Sequence, residues 1–330
     1  MPVRSPFFTS AADVRAALAG ASYLADDQIA GVVHLADRLG KPVLVEGPAG
    51  TGKTELAKAT ARAAGARLIR LQCYEGLDEA KALYEWDYKK QLLRIQAARV
   101  GGEPRSWEEM EEDIFSEPFL LTRPLLEAIR ATEPVVLLVD EVDRLEVETE
   151  ALLLEVLAEF QVSIPELGTL EAAQVPMVFL TSNDTRELSE ALKRRCLFCY
   201  VDYPTPERER AIVLARIPGI AERLADQVAQ VVAALRGLEL RKEPSISETL
   251  DWAAALVLAG VDEMDAERTR ESLHILLKYR SDIELAERRL LGDAERREPG
   301  QQRGAPQPTG RTEPQGATLP TGASEGGSRR

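Results

Sequence analysis

The stretch Gly47-Pro-Ala-Gly-Thr-Gly-Lys-Thr54 constrains this chain more than any other. It satisfies G-x-x-x-x-G-K-[ST], with Gly47, Gly50 and Gly52 allowing a tight loop and Pro48, Ala49 and Thr51 between them. The apolar run Pro42-Val-Leu-Val-Glu46 precedes it, and the helix-forming Glu55-Leu-Ala-Lys-Ala-Thr-Ala-Arg-Ala-Ala64 follows. A strand that turns through such a loop into a helix aims backbone N–H groups and the positive helix end at one point. That point suits a phosphate. Residues Gly47 to Glu55 are therefore candidate nucleotide-binding residues, with Lys53 reaching the β- and γ-phosphates and Thr54 a ligand for Mg²⁺.

A strand of this kind needs neighbours. Val135-Val-Leu-Leu-Val139 and Val175-Pro-Met-Val-Phe-Leu-Thr181 are near-continuous apolar runs, and Ala66 to Gln72 and Cys196 to Tyr203 read as two more. Strands of that composition separated by helical stretches predict an α/β fold with a parallel sheet covered on both faces. Strand signals end near Pro204-Thr-Pro206, and Val228, Val231, Val232 and Leu235 then recur at helical spacing. The expected organisation is an α/β core with an N-terminal helical segment (1–203), an all-helical domain (204–292) and a tail (293–330). From Glu298 onward the tail holds five Pro, seven Gly and no aromatic residue, which predicts disorder.

Further residues belong at the edge of the sheet where the loop lies. The run Val135 to Val139 ends in Asp140-Glu141, two carboxylates delivered to the end of the sheet where open α/β sheets bind ligands. Asp140 would join Thr54 around the metal, and Glu141 would polarise a water for attack on the γ-phosphate. Asn183, after the next strand, can orient that water. In Ala191-Leu-Lys-Arg-Arg-Cys196, two Arg end a short helix. There they complement the helix dipole, or serve a neighbouring subunit's nucleotide.

In this order the motifs resemble those of the AAA+ ATPases: Walker A at Gly47 to Thr54, Walker B at Asp140-Glu141, sensor 1 at Asn183, and an arginine finger at Arg195, with Arg194 second. Within that superfamily the chain is most similar to the MoxR family, and there to CoxD-type proteins of carbon monoxide dehydrogenase maturation. Leu71 to Trp86, Phe160 to Gly168 and Pro244 to Trp252 carry this likeness. The resemblance implies Mg²⁺-dependent ATP hydrolysis between core and helical lid, and a homo-oligomeric ring, a hexamer. It also implies a von Willebrand factor A domain partner and a client metalloenzyme. One position departs: Ser247 stands where many relatives place a sensor 2 Arg, so that role stays open, with Arg241 a substitute.

Charge separates this reading from two rivals. With 41 Lys and Arg against 55 Asp and Glu the net charge is −14; the tail from Glu298 has four Arg and three Glu, so the rest carries −15. A nucleic-acid motor needs a basic channel, which this balance disfavours, and no nucleic-acid partner is expected. A regulatory module that uses ATP only as a switch is the second rival; intact Asp140, Glu141, Asn183 and Arg195 favour turnover. No apolar run is long enough to cross a membrane, the N-terminus lacks an export signal, and three Cys and two His make no disulfide framework. A cytoplasmic location fits.

Four local signals remain. Tyr84, Trp86 and Tyr88 either pack or line a pore. Residues 160–170 alternate with period two around Pro165-Glu-Leu-Gly168, which predicts a hairpin. Cys196 and Cys199 are expected as buried structural thiols rather than metal ligands, and Glu108 to Asp113 as a solvated face or a docking surface.

Overall fold

The computed structural model describes residues 6–101 and 106–291. The tail expected at 293–330 lies outside them.

The described residues form nine strands: β1 (Val43–Glu46), β2 (Arg67–Gln72), β3 (Tyr84–Trp86), β4 (Leu120–Thr122), β5 (Val135–Asp140), β6 (Gln161–Ile164), β7 (Gly168–Glu171), β8 (Met177–Ser182) and β9 (Leu197–Tyr200). Five of them form one sheet in the order β2-β5-β8-β1-β9, every pair parallel. The central strands β5 and β8 are buried at every residue, as their unbroken apolar sequences require. Alternate side chains feed two cores. Leu137, Val139 and Leu180 pack with Leu125, Leu126 and Leu153 on one face, while Val43, Val45, Val136 and Phe179 pack with Leu56, Val33 and Leu18 on the other.

Register sets the site. Val139 pairs with Leu180, and Glu46 pairs with Ser182, so Asp140, Glu141, Asn183 and Gly47 emerge side by side from three adjacent strands at the carboxyl edge. Between β2 and β5 the chain inserts the ribbon β3–β4 and the helices Tyr88–Gly101 and Trp107–Ile114. The hairpin expected near 160–170 is β6–β7, paired from Gln161↔Glu171 to Ile164↔Gly168.

After β9 every regular element among the described residues is helical. Val228, Val232 and Leu235 of the helix Glu222–Arg236 close a separate apolar core around the fully buried Trp252. Within it, Glu209 is buried and clamped by Arg236 (3.0 Å) and the Thr249 hydroxyl (2.8 Å), while Arg236 Nε donates to the Pro244 carbonyl (2.9 Å). That network fixes the start of the helix Ile246–Leu258, which Ser245 and Glu248 cap reciprocally. No helix among the described residues is long and apolar enough to cross a membrane.

Candidate active site

The glycine loop is closed tightly on its surroundings. Gly47 has φ +149°, and a Cβ there would lie 2.0 Å from the Val201 carbonyl oxygen. Gly50 has φ +79°, and a Cβ there would lie 2.4 Å from Ser245 Cβ. The helix Ile246–Leu258 thus starts directly against the loop, and the Ile246 N–H donates to the Gly50 carbonyl (3.2 Å). Beside this contact is a cavity of about 150 Å³ walled by Tyr23, Leu24, Val201, Ile212, Ile246 and Leu250. Its apolar walls at the end of the phosphate loop suit a nucleoside base.

Lys53 is 6% exposed and donates to the carbonyls of Gly47 and Pro48, each at 2.7 Å. Desolvation lowers its pKa to about 8, against the nearby charges of Asp143, Asp140 and Glu141, which favour the ammonium. Thr51 donates to the Pro48 carbonyl (3.0 Å), and Glu55 pairs with Arg62 (2.7 Å) and Arg216 (3.7 Å).

Asp140 is the hub. It is 2% exposed, and its Oδ1 accepts the hydroxyls of Thr54 (2.8 Å) and Thr181 (2.5 Å). Its Oδ2 accepts Arg70 Nε (3.0 Å) and a second guanidinium nitrogen (2.5 Å), a bidentate contact from β2. Thr54 Oγ1 and the Asp140 carboxylate are hard oxygen donors in contact. No group of three or more His, Cys, Asp or Glu among the described residues is arranged to hold a metal ion. One carboxylate plus a hydroxyl, completed by phosphates and waters, fits Mg²⁺, whereas an all-protein cage would suit Ca²⁺.

Glu141 sits at φ +59° with its N–H on Thr181 Oγ1 (2.9 Å) and its carboxylate on Arg144 (2.7 Å). Asn183 is half-buried, its N–H on Asp143 Oδ2 (3.2 Å), and its side-chain amide makes no hydrogen bond among the described residues.

Arg194 and Arg195 are not part of this cluster. They end the helix Glu190–Arg195, just before β9, whose first residue Leu197 pairs with Val43. The whole of β1, about 10 Å, lies between them and the loop that follows Glu46. Both are exposed; Arg194 reaches only Glu190 at 3.9 Å, and Arg195 makes no ion pair among the described residues. Arg241 is not at the site either: it stacks on Tyr279, 4.3 Å from the ring centroid, and its N–H bonds Asp282. Ser247 does line the cavity.

The aromatic trio divides. Trp86 is 7% exposed and meets Phe115 edge-on at 5.2 Å, Tyr84 packs on Trp86, and Tyr88 is 65% exposed. Burial pushes the thiols of Cys73, Cys196 and Cys199 up to about 12, which suits inert packing.

Arg70, Thr181, Asp143 and Thr185 escaped the motif reading. They act across strand pairs, so their proximity depends on the sheet order β2-β5-β8, which linear spacing does not encode.

Strand-loop-helix geometry, a parallel sheet and a hydroxyl-bound carboxylate at its edge define a P-loop NTPase. Residues 43–201 match the ATPase family associated with various cellular activities (AAA). That segment runs from the first strand of the sheet to just beyond the last, and through it the chain resembles ATP-hydrolysing domains. It is 27% identical over 247 residues to the denitrification regulatory protein NirQ of Pseudomonas aeruginosa, covering 72% of this chain and 84% of that protein. The Thermotoga maritima RuvB Holliday junction branch migration motor aligns at 17% identity with a TM-score of 0.38, covering 72% of this chain. The chain spans 62% of that motor's length.

Proposed function

We propose that this chain is the ATP-hydrolysing subunit of a MoxR-type ring, a hexamer, that remodels or activates a partner protein in the cytoplasm. The partner is a client metalloenzyme resembling molybdenum-containing carbon monoxide dehydrogenase, reached through a von Willebrand factor A domain protein. The working units are the core 1–203, the lid 204–292 and the tail 293–330. The observation that carries the ring is the split site: Lys53, Thr54, Asp140, Glu141 and Asn183 converge, while Arg195, with no ion pair among the described residues, stands at the opposite sheet edge, out of reach of its own phosphates. An arginine so placed completes a site only in trans. The name of NirQ, a regulatory protein of a metabolic system, accords with a role on other proteins.

In this reading the base occupies the cavity beside Tyr23 and the triphosphate follows the glycine loop. Lys53 gives up the Gly47 and Pro48 carbonyls for the β- and γ-phosphates. Thr54 and Asp140 hold Mg²⁺, which when bound neutralises charge on the phosphate oxygens. Glu141 accepts the proton of the attacking water, the amide of Asn183 orients that water, and Arg195 of the next subunit, with Arg194 beside it, stabilises the transition-state charge.

The test is subunit mixing. Arg195→Ala is expected to bind ATP and assemble but lose turnover, and so is Lys53→Ala to lose turnover; mixed together they regain part of it at hybrid interfaces. Mixed rings that form but stay inactive overturn the in-trans assignment. A second reading, an ATP-switched regulator, is favoured by the lack of a lid arginine at Ser247; it requires wild-type turnover near zero.

A further inference from the structure

Asp143 has no part in the reading above, yet it is braced across the site as firmly as Asp140. Its side chain is 4% exposed. Its Oδ2 accepts three hydrogen bonds from the loop after β8: the Asn183 N–H (3.2 Å), the Thr185 N–H (3.1 Å) and the Thr185 hydroxyl (2.6 Å). Its Oδ1 is buried without a partner among the described residues. Half-satisfied buried carboxylates cost free energy, so Asp143 is a poor choice for stability alone.

The two segments it joins are both strained. Glu141 (φ +59°) lies two residues before it, and Asp184 (φ +57°) lies between the two residues whose N–H groups it holds. Left-handed backbone at residues other than glycine persists only where the surroundings over-determine it. Thr181 supplies a crossing in the opposite sense: from β8 its hydroxyl donates to Asp140 and accepts the Glu141 N–H. Each loop is thus held by a side chain from the other, and the two residues so fixed are Glu141 and Asn183.

We propose that Asp143 is a positioning residue for hydrolysis, holding the 183–185 loop so that the Asn183 amide stands at a fixed place beside Glu141. The proposal rests on Asn183 orienting the attacking water, as above. Asp143 acts through the backbone of Asn183 and through Thr185.

Three readouts test it, taken at about pH 7 on the full chain. In Asp143→Ala without nucleotide, the amide protons of Asn183 and Thr185 should exchange at least about tenfold faster. The same variant should lose at least about tenfold in kcat with its ATP Kd within about threefold of wild type. Asp143→Asn keeps a carbonyl oxygen for the loop and should return kcat to within about threefold of wild type. The Asp143→Ala/Asn183→Ala pair should be no slower than Asn183→Ala alone by more than about twofold, since both remove one function. Faster exchange with unchanged kcat overturns the proposal, as do losses that multiply in the pair. If Asp143→Ala does not fold, Thr185→Val removes one of the three bonds; an unchanged kcat there overturns it equally. A wild-type chain that does not hydrolyse ATP refutes the catalytic reading instead, and the exchange data still report whether Asp143 holds the loop.

Discussion

Contact between the helix Ile246–Leu258 and the glycine loop passes through Gly50, and substituting it tests that contact with a magnitude set by the geometry. In Gly50→Ala the new Cβ would lie 2.4 Å from Ser245 Cβ and 2.6 Å from its Oγ, where carbon contacts prefer roughly 3.5–4.0 Å. Relieving that overlap costs about 1–3 kcal/mol, the range for overpacked sites. The backbone at φ +79° adds about 1–2 kcal/mol for a residue with a Cβ. Summed, the loss is about 2–5 kcal/mol, or about 3–7 °C in Tm for a chain of this size. Ser245→Gly removes both colliding atoms, and as a helix N-cap glycine costs only a few tenths of a kcal/mol relative to serine. In that background Gly50→Ala should show only the backbone strain, so a double-mutant cycle by thermal unfolding should give a coupling of at least about 1 kcal/mol. Equal Tm losses in both backgrounds would refute the packing of the Ile246–Leu258 helix on the loop.

Other perturbations read other parts of the site. Arg70→Ala strips Asp140 of its bidentate partner and should cost about 1.5–3 kcal/mol in urea unfolding; Arg70→Lys, which cannot make the paired contact, should recover less than half. Lys53, with its pKa lowered to about 8, should be largely neutral in the free protein at about pH 9 and regain its proton on the phosphates. Calorimetry in buffers of different ionisation enthalpy should then detect proton uptake on ATP binding at that pH and little near pH 6.5; no difference would contradict it. The same lowered value means folding stability from this group rises with pH from about 8 to the ordinary lysine range, because there the unfolded chain holds the proton and the folded one does not. Trp86→Ala should cost about 3–5 kcal/mol against about 0.5 kcal/mol or less for Tyr88→Ala, since the first is packed on Phe115 and the second is exposed.

Much of the sheet was legible because its central strands are buried at every residue and so are apolar for most of their length, as in Val135–Asp140 and Met177–Ser182. The glycine loop was legible for a different reason: Gly47 and Gly50 leave no room for a Cβ, so their spacing is imposed by contacts with Val201 and Ser245. Asp140, Glu141 and Asn183 followed from lying at the polar ends of apolar strands. What escaped was lateral. Arg70 reads as one charge in an alternating strand, and only the pairing of β2 with β5 brings it to Asp140. Asp143 reads as one more acid in Asp140-Glu141-Val142-Asp143, and only β8 beside β5 gives its carboxylate the loop to hold. The helical insertion between β3 and β4 was also hidden. Its helix Tyr88–Gly101 buries Gln91 on the Ile114 carbonyl and exposes Leu92 and Leu93, against the usual apolar-in pattern.

Glu141 carries the central claim, that this site turns ATP over with a carboxylate accepting the proton of water. Glu141→Gln keeps the size of the side chain and removes its basicity, so ATP affinity should stay within about threefold of wild type while the steady-state hydrolysis rate falls at least about tenfold. A Glu141→Gln protein that binds ATP and hydrolyses it at the wild-type rate would contradict the account.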